Sequence, residues 1–492
     1  MSPDAVIVNG QLPNFDDYQD PTTNGGAVVH AWRGGGRWYT WQCLVESWDK
    51  DTGTLTFSHE RGCNQGGEGE INANEWWIEN IREEADNVNE WFHDAEKGEL
   101  IFNFNTSATS EPLSFVATNL RVLFNITGNG AANPATGIAL RGLELRDAAV
   151  SYLEPHGMPS GGDWALAKQG AVTITNAEGA TVDSCYFNRI DGNGVFIGSY
   201  NRNATVKDSE FAWIGATAIA AWGDTGLALN ENKSKTVPWP VGPDGRGGNQ
   251  PWGTLIKGNL AREIGIWQKQ SSFYFQAVSA FTHLTGNVHF NGPRAGLNYN
   301  DGYGMGDLIE KNLLANCVRE SGDHGPYNSW DRVPYIQDFG GKPSIIPIPR
   351  EITKNFVLSD YASQEAIDTD DGSSYYHTHE NFFVYAANGL KSDFGGHDNR
   401  HYRNVYAYVG ECWGGGNMDW FVNNTCVTKK ADTGYAPDCP GQGPNPYQIV
   451  TGNTVYNQDG RLKDKPMCGV VKVEKWPSDG ALIAMGKKVL GV

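Results

Sequence analysis

Acidic side chains crowd one stretch of this chain, and the stretch repeats. Ala366-Ile367-Asp368-Thr369-Asp370-Asp371-Gly372 falls over Gly389-Leu390-Lys391-Ser392-Asp393-Phe394-Gly395 at an offset of 23 residues. Downstream, Asn381-Phe382-Phe383-Val384-Tyr385 and Asn404-Val405-Tyr406-Ala407-Tyr408 keep that offset. If each echo is one turn of a solenoid, Asp370 lies over Asp393, one strand spacing away, roughly 4.8 Å. Carboxylates that close repel each other, and one of them is pushed toward its protonated form. Cleavage of a glycosidic bond asks for such a pair, a nucleophile and a proton donor, with roughly 5 to 5.5 Å between them for retention.

More candidates lie upstream. Asn298, Asn300 and Asp301 are followed 22 to 23 residues later by Glu320, Asp323 and His324, which reads as the same phase of the next coil. The ladder of catalytic candidates is then Asp370, Asp393, Asp371, Asp301 and Asp323. His324, Arg294, Trp330, Arg332, Asp368, Lys391 and His397 are the substrate-binding candidates: arginines for anionic sugar groups, Trp330 for stacking, Lys391 as ion-pair partner of an acid. A single Asp-Gly pair is an ordinary turn; it is the shared register that points to chemistry. The same acids would also suit a calcium ion. With Lys391, Arg294 or His324 as base, they would suit a polysaccharide lyase or epimerase.

The elements that must position these residues are short strands. Val182, Phe187, Ile190 and Val195 recur as Val206, Phe211, Ile214 and Ile219, a constant shift of 24. Apolar residues alternate between Gly, Asn and Asp turns, as strands lining an elongated core require. The expected fold is all-β, a right-handed parallel β-helix with an N-terminal β-rich cap. Residues 1–114 read as cap and first coil, 115–470 as β-helix with loop insertions near 224–255 and 326–350, and 471–492 as a C-terminal strand or tail. Residues 90–94 and 99–102 read as a hairpin, preceded by a short helix over 78–86.

Composition narrows the partners. A formal net charge of −19, from 38 basic against 57 acidic residues, argues against nucleic acid and anionic membranes. No run of apolar residues is long enough to span a bilayer. The chain has 17 Trp, 20 Tyr and 20 Phe; most belong in packing, and exposed ones would suit pyranose rings. Eight Cys lack zinc spacing, so no metal cluster or cofactor is expected, and Cys185 reads as a core residue. Sequons at Asn105, Asn125, Asn203, Asn232 and Asn423, with the even cysteine count, favour a secreted glycoprotein, although no leader opens the chain.

With these motifs in view, the chain resembles the pectin-lyase-like right-handed parallel β-helix superfamily, and more narrowly its glycoside hydrolases of the xylosidase and fucosidase kind. The likeness rests on Glu90-Trp91-Phe92-His93-Asp94 after Ile78-Glu79-Asn80-Ile81, on the Asn300-Asp301-Gly302 and ESGDHGPYNSWDR segments, and on DTDDGSS with KSDFGGHDN. It implies a poly- or oligosaccharide substrate, Asp370 or Asp371 at the nucleophile position and Asp393 at the acid/base position. Some relatives carry Glu at that second site. A carbohydrate-binding or structural protein on the same solenoid is the non-enzymatic alternative.

Overall fold

The computed structural model describes residues 5–7, 12, 14–33, 36–63, 71–105, 107, 114–157, 166–223, 249–300, 306–322, 324–330, 337–339, 342–344, 348–358, 364–370, 372–412, 414–429, 447–461 and 468–492. They divide into two compact units, Met1–Asn119 with Ala149–Ala167, and Leu120–Ala148 with Lys168–Val492.

The larger unit is a parallel β-helix. Three sheets of twelve, eleven and twelve strands run its length, and successive coils contribute one short strand to each. The first, here the site sheet, carries Val172–Glu178, Val195–Arg202, Ile219–Trp222, Tyr274–Ala277, Leu297–Asn300, Tyr327–Trp330, Glu365–Asp370 and Asn388–His397. Alternation decides which side chains enter the core. Val195, Ile219, Tyr274, Leu297, Tyr327, Ile367 and Leu390 form one inward row, each register partner of the next. The offset of 24 expected for Val182/Val206 and Phe187/Phe211 is the actual pairing, as is the offset of 23 for Phe382/Val405.

One corner of every later coil is held by a ladder of asparagines. Asn259, Asn287, Asn312, Asn355, Asn381, Asn404, Asn424 and Asn453 are all buried. From Asn287 onward each Oδ1 accepts from the backbone N–H of the asparagine one coil earlier, as Asn355 does from Asn312 at 3.0 Å, and up to Asn424 each amide group donates onward to the next Oδ1; Ser209 N–H supplies the first rung, to Asn259. The corner needs a left-handed residue just before the asparagine: Gly258 and Gly286 occupy it at φ +66° and +67°, and Lys311, Lys354, Glu380 and Arg403 are forced into it. Buried backbone at a bend is thereby hydrogen-bonded throughout.

The stretch from 326 does not begin as a loop. Tyr327–Trp330 is a site-sheet strand, alternating inward Tyr327 and Ser329 with outward Asn328 and Trp330. Pro326 is tolerated because it stands just before the strand, where it donates nothing and its carbonyl accepts from Leu297 N–H at 2.9 Å. Leu255–Lys257, at the edge of the other expected insertion, is likewise a strand. Segment 471–492 holds the end of strand Val470–Lys475 and then a helix, Asp479–Leu490. Ser478 caps it through Ala481 N–H, Gly491 closes it at φ +77°, and Leu482 packs on Phe382, Val384 and Val405.

The smaller unit holds a five-stranded antiparallel sheet with one apolar face of Val29, Ala31, Trp41, Val45, Leu55 and Phe57. A Cys43–Cys63 disulfide ties two of its strands. The 91–94/99–102 hairpin forms as expected. No helix covers 78–86: Ile71–Glu79 is a strand whose Trp76 and Ile78 pack on the apolar face, so period-two burial overrides any helical preference.

Candidate active site

The outward face of the site sheet carries two rows of residues. Phe196, Ala220, Phe275, Asn298, Asn328, Asp368 and Lys391 form the first, in register across seven coils. Gly198, Trp222, Ala277, Asn300, Trp330 and Asp370 form the second, two residues on. Both rows are apolar in the early coils and turn polar from Asn298 onward, Trp330 excepted. Asp368 and Asp370 therefore share one face of one strand. Lys391, on the next rung, places its Nζ 3.6 Å from Asp368 Oδ1 and 3.1 Å from Asp370 Oδ1. The strand ends at a tight turn in which Ser373 N–H and Oγ both donate to the Asp370 carbonyl, at 3.0 and 2.6 Å, and Gly372 takes φ +86°.

The two acids differ in environment. Asp368 is fully buried, whereas the Asp370 and Lys391 side chains keep 18 and 16 % of their surface open. Burial raises the Asp368 pKa to about 7; the Lys391 ammonium opposes this, the nearby Asp370 carboxylate adds to it, and the Asn328 amide and Arg294 oppose it further. Asn328 Nδ2 donates to Asp368 Oδ2 at 2.8 Å. Behind them, Arg294 Nη2 lies 2.8 Å from His324 Nε2. A guanidinium only donates, so Nε2 accepts; Nδ1 lies 3.7 Å from Asp368 Oδ2 and 3.5 Å from Asn328 Nδ2.

Of the sequence-derived candidates, Asp368, Asp370, Lys391, His324 and Arg294 come together here. Arg294 is wholly buried, with Nη2 directed at His324. Trp330 is 7 % exposed, a wall beside Asp370 on the neighbouring rung rather than an open platform. His397 bonds Asp398 at 2.7 Å and meets Tyr375 edge-on, at the far end of its strand. Backbone pairing runs through Asp368–Lys391 and Thr369–Ser392, which leaves Asp370 and Asp393 as next in line. The Asp393 side chain, Asp371, Asp301, Asp323 and Arg332 lie outside the described residues.

The expected phase of the upstream acids is corrected by the register. Leu297 pairs with Tyr327 and Asn298 with Asn328, an offset of 30 residues rather than 22 to 23. His324 accordingly stands three residues before its strand, as Arg294 does before Leu297, and not over Asn300 or Asp301. The inward aromatic residues fix this: Tyr299 and Tyr327 stack at 5.4 Å between centroids. Asn328, which donates to Asp368, is the residue of this cluster that matching acids to acids passed over. Its signal was the alternation in Tyr327-Asn328-Ser329-Trp330.

No protein-family model matches the chain, and comparison with curated proteins finds no match. Among solved structures, one titled a glycoside hydrolase is similar in fold, with a TM-score of 0.52 and 13 % sequence identity over 89 % of this chain and 68 % of that one.

Proposed function

We propose that this chain is a glycoside hydrolase that cleaves a poly- or oligosaccharide with carboxylates on the outward face of the site sheet. The observation that carries the reading is the pairing of a partly open, ion-paired Asp370 with a fully buried Asp368 whose pKa lies near 7, both within 4 Å of one lysine. Asp368 and Asp370 share one outward face with Lys391 on the next rung, and a hydrolase needs groups in both protonation states.

In the mechanism we favour, Asp370 attacks the anomeric carbon while Asp393, one rung on, protonates the departing glycosidic oxygen. Water then opens the glycosyl ester, giving its proton back to Asp393, so the anomeric configuration is retained. Asp368 stays beneath as a proton-bearing neighbour that limits repulsion on Asp370. A uronate lyase would use Lys391 as base; its ammonium between two carboxyl groups supports a cationic role instead. The Cys43–Cys63 and Cys412–Cys426 disulfides support a secreted protein, and the exposed Asn125, Asn203 and Asn423 support glycosylation.

The test is a glycan panel read by reducing ends, with proton NMR of the first anomer released. Retention is expected, and Asp370→Asn and Asp393→Asn should each abolish turnover. Undiminished cleavage by both variants would overturn the assignment, and an unsaturated product absorbing in the ultraviolet would replace hydrolysis by elimination.

A further inference from the structure

The smaller unit has a second sheet face that its core does not explain. Alternation turns Val29, Ala31, Trp41, Trp76 and Ile78 into the apolar core. It leaves His30, Trp32, Thr40, Gln42, Glu75, Trp77 and Glu79 on the opposite side of three adjacent strands. Direct pairing sets Trp32 beside Thr40, and His30 between Gln42 and Trp77. His30 and Thr40 are each only 2 % exposed and form a floor, whereas Trp32, Trp77, Glu75 and Glu79 are half-buried around it.

That floor holds buried polar atoms left unbonded. His30 Nδ1, Trp32 Nε1, Thr40 Oγ1 and Glu75 Oε2 have no hydrogen-bond partner among the described residues. The remaining groups of the face are engaged: His30 Nε2 pairs with Glu79 Oε1 at 3.2 Å, Tyr152 Oη donates to Glu79, and Arg37 takes the other oxygen of Glu75 at 3.1 Å. A buried hydroxyl, indole N–H or carboxylate oxygen without a partner is destabilising, and proteins keep such groups where water or a ligand completes them. Here donors and acceptors stand beside aromatic rings. The His30 imidazole stacks on Trp77 at 3.9 Å and 7°, with Tyr152 edge-on at 5.2 Å. Ring faces for the C–H side of a pyranose, flanked by a donor, a hydroxyl and an acceptor for its hydroxyls, are the chemistry of sugar recognition.

We infer that this face of the smaller unit is a saccharide-binding site, formed by Trp32, Trp77, Thr40, Glu75 and His30 and separate from the carboxylates of the site sheet. The ligand class follows from the polar and aromatic atoms themselves, and it agrees with the proposed glycan substrate without depending on turnover.

Binding is measured on the full chain carrying Asp370→Asn, so that no probe is consumed, by calorimetry and tryptophan fluorescence with cellohexaose, xylohexaose, mannohexaose and isomaltohexaose. At least one probe should bind, and Trp77→Ala and Trp32→Ala should each weaken it tenfold or more. Trp91→Ala, at an exposed hairpin residue, should leave binding unchanged. Thr40→Val separates a ligand site from a packing face: it should weaken the sugar several-fold while raising the melting temperature, because an unbonded hydroxyl is replaced by a methyl group of the same shape. Absence of binding by all four probes, or affinity untouched by Trp77→Ala and Trp32→Ala, would overturn the inference. Binding without any cleavage by the unmodified chain would sink the hydrolase reading and leave this one standing.

Discussion

The early coils, 172–222, and the later coils, 297–391, use the same two outward rows of one sheet for opposite purposes. In the early coils the rows read Phe196, Ala220 and Gly198, Trp222; in the later coils they read Asn298, Asn328, Asp368, Lys391 and Asn300, Trp330, Asp370. One inward row stays apolar or aromatic, from Val195 and Ile219 through Tyr274, Leu297 and Tyr327 to Ile367 and Leu390, whereas the other passes from Ile197 and Ala221 to Ser329, Thr369 and Ser392. The solenoid thus makes its firmest demand on the first inward row, and the outward rows can vary without disturbing the stacking of coils. Breaking that division is the most direct test of it.

The largest effect belongs to the outward row of the later coils. Asp370→Asn should lower kcat/KM by about 10³-fold or more, the scale of a lost proton-transfer or nucleophilic group, with an unchanged thermal transition. Ala220→Ser, on the outward row of an early coil, should leave glycan cleavage as it was. An equal loss in both variants would mean that the rows are not functionally distinct.

The inward row should show the reverse. Ile367→Ala, one residue from Asp368, should destabilise the β-helix by about 2 to 5 kcal/mol through transfer and cavity terms. A shift of the urea midpoint measures it. Residual activity below the new midpoint should match the unmodified chain, since the carboxylates stay on the same strand.

A pH comparison sharpens the contrast further, because burial also raises Asp419 to about 7, in a corner where it accepts from Ser392 and Asn399 rather than facing the site. Both groups have folded pKa values above the unfolded one near 3.8. Each therefore binds its proton more tightly when folded. Its stabilisation is complete below pH about 4 and is lost as pH rises to about 7, on the order of a few kcal/mol for each group. Asp368→Asn and Asp419→Asn should each flatten the decline of stability between pH 4 and 7. Only Asp368→Asn should move the activity profile, and a matching displacement by Asp419→Asn would argue against a special role for the site row.

Much of this division was legible from residue types alone. Alternating apolar residues at offsets of 23 and 24 gave the correct pairing of Val182 with Val206 and Phe382 with Val405, because inward residues must be apolar and no other register satisfies them. The upstream offset of 22 to 23 failed for the complementary reason: polar outward positions carry no packing constraint, and the coil from Leu297 to Tyr327 is 30 residues long. The asparagine ladder had a signal that went unused, a left-handed residue followed by Asn and an apolar residue, as in Gly258-Asn259-Leu260, Lys354-Asn355-Phe356 and Arg403-Asn404-Val405. The cluster of Arg294, His324 and Asp368 had none, since its members meet through a turn whose length the sequence does not encode as a repeat.

The smallest effect is expected where neither row is involved. Along the sheet that holds Glu144–Ala148 and Tyr186–Ile190, many strands have a left-handed residue at or just past their ends, namely Asp147, Arg189, Trp213, Glu263, Asn291, Asn316, Tyr385 and Tyr408, in unrelated chemistries. Arg189 bonds Asp147 through Nε at 2.7 Å and Nη2 at 3.1 Å, yet half of its side chain is open to solvent. Such a pair contributes about 0.2 to 1 kcal/mol. Its φ of +53° carries a strain of roughly 1 to 2 kcal/mol that glycine would relieve, while glycine adds freedom to the unfolded chain worth about 0.4 to 1 kcal/mol. The opposing terms nearly cancel, so Arg189→Gly should change the urea midpoint hardly at all. A loss as large as that of Ile367→Ala would show that the outer turns, and not the inward row alone, hold the coils in register.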